Sequence, residues 1–400
     1  MSHDDMPSSL TELQAWGSAR RVAIVHDWLV VQGGAEKVLY ALLEAFPGAD
    51  VHTLVDFLPE AQRGRLARHR VHTSLLQRWP LARRYYRHLL PLMPYAIEQL
   101  DLGGYDLVIS SSHCVAKGVV THPQQRHICY CHTPMRYAWD MKEAYLTDAG
   151  FRLPGLEALV RHRLGRLRQW DFFTASQVDH FVANSAHVAR RIAKYYGRSA
   201  EVIHPPVDLD AFAFHEGPRE GYYLAASRLV PYKRLDVIIR AFREMPERRL
   251  KVVGDGPERQ RLASLAAGCA NIELLGYQPD TRLRELMAHA RAFVFAADED
   301  FGIMPLEAQA VGTPVIAFGR GGALETVRGP EQGSAASGCF YTEQRPDSLR
   351  SAVERFEESD ISPHACRRQA ERFSPQRFWR QWLELLTADP TSRDDRESSS

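Results

Sequence analysis

The chain has 400 residues, 50 Lys plus Arg against 49 Asp plus Glu, and 45% apolar residues, an ordinary globular composition whose length exceeds one core and predicts two domains of about 200 residues. No apolar run approaches the roughly 20 residues needed to cross a bilayer. The start has acids and a proline where a signal peptide has a basic end and an apolar core, and six cysteines are too few for a disulfide framework, so a cytoplasmic protein is expected.

Residues 1–20 and the tail 389–400 are polar and are predicted to be disordered. The first apolar strand, Arg21 to Asp27, leads through Gly33 and Gly34 into a helix whose Val38, Leu39, Leu42, Leu43 and Phe46 keep the helical period. Between Glu60 and Glu98 stand eight arginines and no acid, interleaved with Trp79, Tyr85, Tyr86 and several leucines. Arg161, Arg163, Arg166 and Arg168 form a second such stretch with Leu164, Leu167 and Trp170. That composition suits a helix lying on an anionic membrane surface; a solvated arginine-rich face is the plainer reading. No nucleic-acid recognition motif accompanies it. Strands are further predicted at 51–54, 107–110, 127–130, 181–183 and 201–203, with helical stretches between them, the alternation of an α/β fold with a parallel sheet. The prolines of Ile203 to Asp208 (IHPPVD) mark a linker, dividing a first domain 21–205 from a second, 206–375. The second domain repeats the alternation, with strands near 222–226, 250–253, 272–275, 293–296 and 315–318, and a helix over 376–388 closes the chain.

Candidate site residues cluster where strands end. Arg228 leaves the strand 222–226, and Lys233 stands near the next helix N-terminus, where a cation is poorly suited to the helix dipole unless an anion such as a diphosphate binds there. Two ordinary surface cations would look the same. The bend Gly254-Asp255-Gly256-Pro257, by itself a common turn, follows one strand and Tyr277 the next, the latter a candidate for a flat base or a core tyrosine. Glu299 and Glu307 flank a strand-to-helix crossing, where carboxylates can accept hydrogen bonds from the paired hydroxyls of a sugar; an acidic loop and a helix cap are the alternatives. Asp298-Glu299-Asp300 also reads as a D-x-D metal signature, which is set aside because that class normally uses one sheet domain. His132, in YCHTPMRYAW, lies on a loop after a strand and can bind a sugar hydroxyl or move a proton, a structural loop histidine being the alternative; Asp27 has a similar claim. Cys129 and Cys131 lack a second pair at zinc spacing and are taken as buried thiols.

In order and spacing, Arg228-x4-Lys233, Gly254 to Pro257 and Glu299-x7-Glu307 resemble the retaining glycosyltransferases of family 4, over roughly Arg21 to Leu386. VHDWLVVQGGAEKVL and YCHTPMRYAWD look closest to bacterial members that build O-antigen and exopolysaccharide, several of them mannosyltransferases. The resemblance implies the GT-B fold: two facing Rossmann-like domains, with the last helix crossing back to the first. It implies no metal or cofactor, and a nucleotide sugar as co-substrate. By position, Arg228 and Lys233 would bind the donor diphosphate, Glu307 the ribose and Glu299 the transferred hexose. Tyr277 would lie by the base, Gly256 in the donor bend, and the amides of Gly302 and Ile303 near hexose and phosphates. His132 would contact the hexose near C6, Gly33 and Gly34 would separate donor phosphates from acceptor, and Asp27 is a possible acceptor-side residue. Asp300 departs from the glycine that many relatives have there. The implied reaction moves a hexose, best mannose from GDP-mannose, onto a lipid-diphosphate-linked saccharide at the inner membrane face. A glycoside hydrolase using the two glutamates, a sugar-nucleotide epimerase and a catalytically silent binding partner are the alternatives.

Overall fold

In a computed structural model, residues 6–140 and 154–388 are described, and the chain divides into two compact units. One holds residues 1–206 with 376–400, the other 207–375. The polar tail expected over 389–400 lies outside the described residues.

The first unit is built on seven parallel strands: β1 (Val22–His26), β2 (Asp50–Thr53), β3 (Val71–Thr73), β4 (Leu107–Ser112), β5 (Arg126–Cys131), β6 (His180–Ala183) and β7 (Glu201–Val202). Their order is β3-β2-β1-β4-β5-β6-β7. Every residue of β1 and β4 is buried, as expected of central parallel strands covered by helices on both faces. The order reverses between β1 and β4, so the crevice beyond their carboxyl ends is where a doubly wound sheet receives a ligand. The second unit repeats the plan with six parallel strands: β8 (Tyr222–Ala226), β9 (Arg249–Val253), β10 (Ile272–Gly276), β11 (Ala292–Phe295), β12 (Val315–Phe318) and β13 (Gly338–Tyr341). Their order β10-β9-β8-β11-β12-β13 puts its reversal between β8 and β11.

Three segments differ from the sequence reading. The N-terminal stretch expected to be disordered contains a helix, Met6–Ser18, whose fully buried Leu13 joins the core of the first unit with Leu10 and Trp16 beside it. Spacing of three residues between those side chains puts them on one helix face. Gln14 Nε2 also donates to the Glu44 carbonyl at 2.9 Å.

The arginine-rich stretch is not one amphipathic helix. Short turns at Gly64–Arg68, Leu75–Arg78 and Tyr86–Leu92, strand β3 and short helices Ala82–Tyr85 and Met93–Glu98 divide it. Pro80, Pro91 and Pro94 interrupt any long helix, and Leu81 takes a left-handed conformation with φ 65°. Leu66, Leu76, Tyr86 and Leu90 turn inward, whereas Trp79, Leu81 and Tyr85 stay exposed beside Arg83 and Arg84. In the second basic stretch, on the helix Pro154–Thr174, Leu164 and Leu167 are core residues and Trp170 Nε1 donates to Glu98 at 2.6 Å.

Strand β13, absent from the sequence reading, begins with a glycine and has only four residues, too few to show a period. The last described helix, Pro375–Thr387, buries Phe378, Trp379, Trp382, Leu385 and Leu386 in the core of the first unit. Trp379 Nε1 donates to the Ala41 carbonyl at 3.0 Å. Arg126 donates to the Leu385 and Leu386 carbonyls at 3.1 and 3.3 Å, placing a cation at the helix's negative end.

Candidate active site

In the second unit, the two strands that flank the reversal each deliver a charged residue. The chain leaving β8 carries Ser227 and exposed Arg228, then a 3-10 turn, Pro231–Lys233, before the helix Leu235–Arg243. The chain leaving β11 carries Asp298, Glu299 and Asp300. Lys233 Nζ and Glu299 Oε1 form an ion pair across the switch point, both side chains largely buried. The cation expected to await an anion is therefore already offset by Glu299, and Asp236 supplies the acid that the first turn of the helix favours. No carboxylate pairs with Arg228 among the described residues.

Backbone contacts fix this arrangement. Leu229 N donates to Asp255 O at 2.9 Å and Glu258 N to Leu229 O at 3.1 Å, which pins the Arg228 loop onto the bend after β9. Gly256, with φ 156°, sits so close that an added Cβ would lie 2.4 Å from the Leu229 oxygen. On the other side, Gly322 N donates to Glu299 O at 2.8 Å, and a Cβ on Gly321 (φ 61°) would lie 2.3 Å from that oxygen. The Gly321-Gly322 pair was missed in the sequence, although two glycines after a strand give the same signal as Gly33-Gly34. Arg234 was missed too. Left-handed at φ 54°, it donates to Gln344 Oε1 at 3.0 Å, and Gln344 Nε2 donates to the Ala296 carbonyl at 2.8 Å, which ties the turn carrying Lys233 to the end of β11.

Gly302 precedes the helix Ile303–Ala310, and Glu307 is its fifth residue, 4% exposed. The opening amides of that helix, Ile303 among them, lack intrahelical acceptors and favour an anion. Tyr277, after β10, is 72% exposed, so it is not a core tyrosine.

The first unit gathers polar side chains beyond β1, β4 and β5. His132 follows β5, buried, with Nε2 2.8 Å from Ser111 Oγ; Ser111 Oγ is 3.1 Å from His26 Nδ1. His26 Nε2 lies 3.5 Å from Glu36 Oε1, and Glu36 Oε2 accepts the Gly33 N–H at 2.9 Å. Gly33 and exposed Gly34 open the helix Gly34–Ala45. Burial, and next the charges of His113 and His26, push the His132 imidazole well below its ordinary range. Burial would raise the Glu36 carboxyl, but the hydrogen bond and charge of His26 outweigh it and lower it.

Asp27 has a different place from the one expected. It is fully buried, and its two oxygens accept the backbone N–H groups of His113, Cys114, Val115 and Ala116 at 2.6, 3.0, 2.6 and 2.7 Å. His113 Nδ1 stands 3.0 Å from the same carboxylate. Asp27 thus holds the turn after β4 and has no face left for an acceptor. Cys129 and Cys131 are buried free thiols on β5. Among the described residues no three His, Cys, Asp or Glu side chains converge on a metal position, and no helix is long and apolar enough to cross a membrane.

Two parallel-sheet units with this strand order, each with polar groups beyond its switch point, define a two-domain α/β protein of the GT-B kind. Comparison with known proteins gives the family. The model described as Glycosyltransferase Family 4 matches residues 32–211, and that of Glycosyl transferases group 1 matches 209–373. The chain belongs to the family 4 glycosyltransferases.

It is similar to a GDP-mannose-dependent alpha-(1-6)-phosphatidylinositol monomannoside mannosyltransferase of Mycolicibacterium smegmatis, 35% identical over 38% of this chain and 48% of that protein. A D-inositol 3-phosphate glycosyltransferase of Geodermatophilus obscurus is 30% identical over 54% of this chain and 53% of its own length. The chain thus spans about half the length of these curated relatives. Among solved structures, Anabaena Alr3699/HepE in complex with UDP superposes with TM-score 0.66 at 17% identity, over 92% of this chain and 99% of that one. A glycosyltransferase from Rickettsia africae gives TM-score 0.59 at 16% identity, over 92% and 100%. These likenesses establish the fold.

Proposed function

We propose that the protein is a retaining hexosyltransferase that moves mannose from GDP-mannose onto a lipid-diphosphate-linked saccharide in cell-surface polysaccharide synthesis, without a metal, at the inner face of the cytoplasmic membrane. The observation that carries this reading is the Lys233–Glu299 pair across the β8/β11 switch point, beside the free amides of the helix Ile303–Ala310. Arg228, Lys233 and those amides bind the donor diphosphate, Glu299 the hexose, Glu307 the ribose and Tyr277 the base. His132 serves the transferred hexose as a hydrogen-bond partner.

The chemistry asks little of acid or base groups. As the bond between the anomeric carbon and the diphosphate oxygen breaks, negative charge grows on the leaving group, where fixed cations and amides act most strongly. The acceptor hydroxyl forms the new bond on the same face and gives its proton to the departing phosphate oxygen, which keeps the anomeric configuration. A hydrolase would need Glu299 as a free acid or nucleophile, a role its pairing with Lys233 opposes.

The mannose and lipid parts draw support from the name of the M. smegmatis relative, and membrane contact from exposed Trp79, Leu81 and Tyr85 beside arginines. A second acceptor, a free phosphorylated polyol, is favoured by the relatives named D-inositol 3-phosphate glycosyltransferases. Calorimetric titration with GDP- and UDP-sugars tests the donor. GDP-mannose should bind most tightly, and Glu307→Ala should weaken it about 10- to 100-fold, the value of hydrogen bonds to a charged group. Unchanged affinity would remove Glu307 from the donor site, and tighter binding of a UDP-sugar would replace the base.

A further inference from the structure

We infer that Glu36, His26 and Ser111 form a positioning relay that fixes the proton of His132 on Nε2 and leaves Nδ1 bare, so that His132 meets the sugar as a hydrogen-bond acceptor. Its use rests on the role proposed above for His132; the relay itself belongs to the free protein.

Sheet register creates the relay. His26 on β1 and Ser111 on β4 are direct partners in the parallel ladder, and Ser111 is also paired with Tyr130 on β5, two residues before His132. His26 and Ser111 are fully buried, Glu36 is 5% and His132 8% exposed, so no bulk water competes along the line.

The proton count then settles the direction of each bond. Glu36 Oε1 faces His26 Nε2 across 3.5 Å, too long and poorly aligned for a full hydrogen bond, yet an ionised carboxylate there favours the tautomer that turns an N–H and not a lone pair toward it. With His26 neutral, the form the relay requires, its imidazole has this one N–H, so Nδ1 accepts the proton of the Ser111 hydroxyl, 3.1 Å away. A hydroxyl has a single proton. Ser111 can offer His132 Nε2 only a lone pair at 2.8 Å, so His132 must donate from Nε2. Nδ1 of His132 has no protein partner among the described residues. His113 stands outside the chain: its ring is 5.9 Å from that of His26 and 6.3 Å from that of His132, and its Nδ1 faces Asp27. Asn184 holds the loop from the other side, donating to the His132 carbonyl at 2.9 Å. The relay also joins His132 to the glycine loop, because Glu36 grips the Gly33 amide.

The test is a nitrogen-15 NMR spectrum of histidine-labelled free protein at pH 8, with the His132 signals assigned by their loss in His132→Gln. Wild type should show a protonated Nε2 and a bare Nδ1. Ser111→Ala, which deletes one buried oxygen, should give a mixture of both tautomers and lower kcat about 10- to 100-fold with donor KM little changed, as loss of an orienting partner does elsewhere. A bare Nε2 in the wild type, or a Ser111→Ala spectrum like the wild type's, would overturn the relay. The spectrum is read without substrate, so failure of His132→Gln to reduce transfer would count against the role of His132 and leave the tautomer result separate.

Discussion

Lys233→Ala should lower kcat/KM for hexose transfer by about 100- to 1,000-fold, the range found when one preorganised donor to a developing anion is removed. Two effects act together. On the proposed donor site, the cation that would meet the leaving diphosphate disappears, and Glu299 is left as a largely buried carboxylate without its partner, where it would oppose the negative charge developing on the leaving group. The first effect belongs to the transition state and lowers kcat; the second repels the donor and raises KM. Lys233→Arg keeps the charge but replaces a compact ammonium with a planar fork, so partial activity is expected. Stability should fall only modestly, since both side chains keep some solvent access and the pair lies at the rim of the second sheet and not in its core. Steady-state kinetics beside a thermal melt distinguish the readings: a melt lowered by many degrees with transfer intact would make the pair structural.

The largest effect on stability is expected at Asp27. Replacing it with alanine strands the amides of His113, Cys114, Val115 and Ala116, and each buried donor left unmade costs about 1–3 kcal/mol. Partial relaxation of the turn offsets some of this, so a loss of about 3–5 kcal/mol is expected, read as a lower urea midpoint with an unchanged slope. Asp27→Asn should lie between, because its one carbonyl oxygen can keep the amides of Val115 and Ala116. Wild-type stability in Asp27→Ala together with a raised acceptor KM would return Asp27 to the acceptor site.

Much of the fold was legible because central parallel strands are written as continuous apolar runs. VAIVH, YYLAA, AFVF and VIAF all form strands, and Gly312 with Pro314 ends the helix Ile303–Ala310 before β12. Less was legible where composition competes with spacing. Acids and a proline near the N-terminus hid the Leu10–Leu13–Trp16 face, and the arginine-rich stretch looked like a surface helix because overall composition does not show where prolines break the chain or that Leu76 and Leu90 turn inward.

At the candidate site the residue types could be read and their partners could not. Lys233 and Glu299 meet because β8 and β11 are neighbours, which depends on strand order and not on sequence distance. The relay to His132 depends on the register between β1 and β4, equally silent in the chain. Asp27 shows the converse: a carboxylate at a strand's end looks the same whether it awaits a ligand or holds four amides.

The most direct measurement incubates the protein with GDP-mannose and bacterial membrane lipid extract in EDTA, then determines the product and its anomeric configuration. A mannosylated lipid with the donor's configuration, formed at an undiminished rate in EDTA and lost in Lys233→Ala, is the predicted result. Abolition by EDTA, an inverted product, or free mannose alone would contradict it.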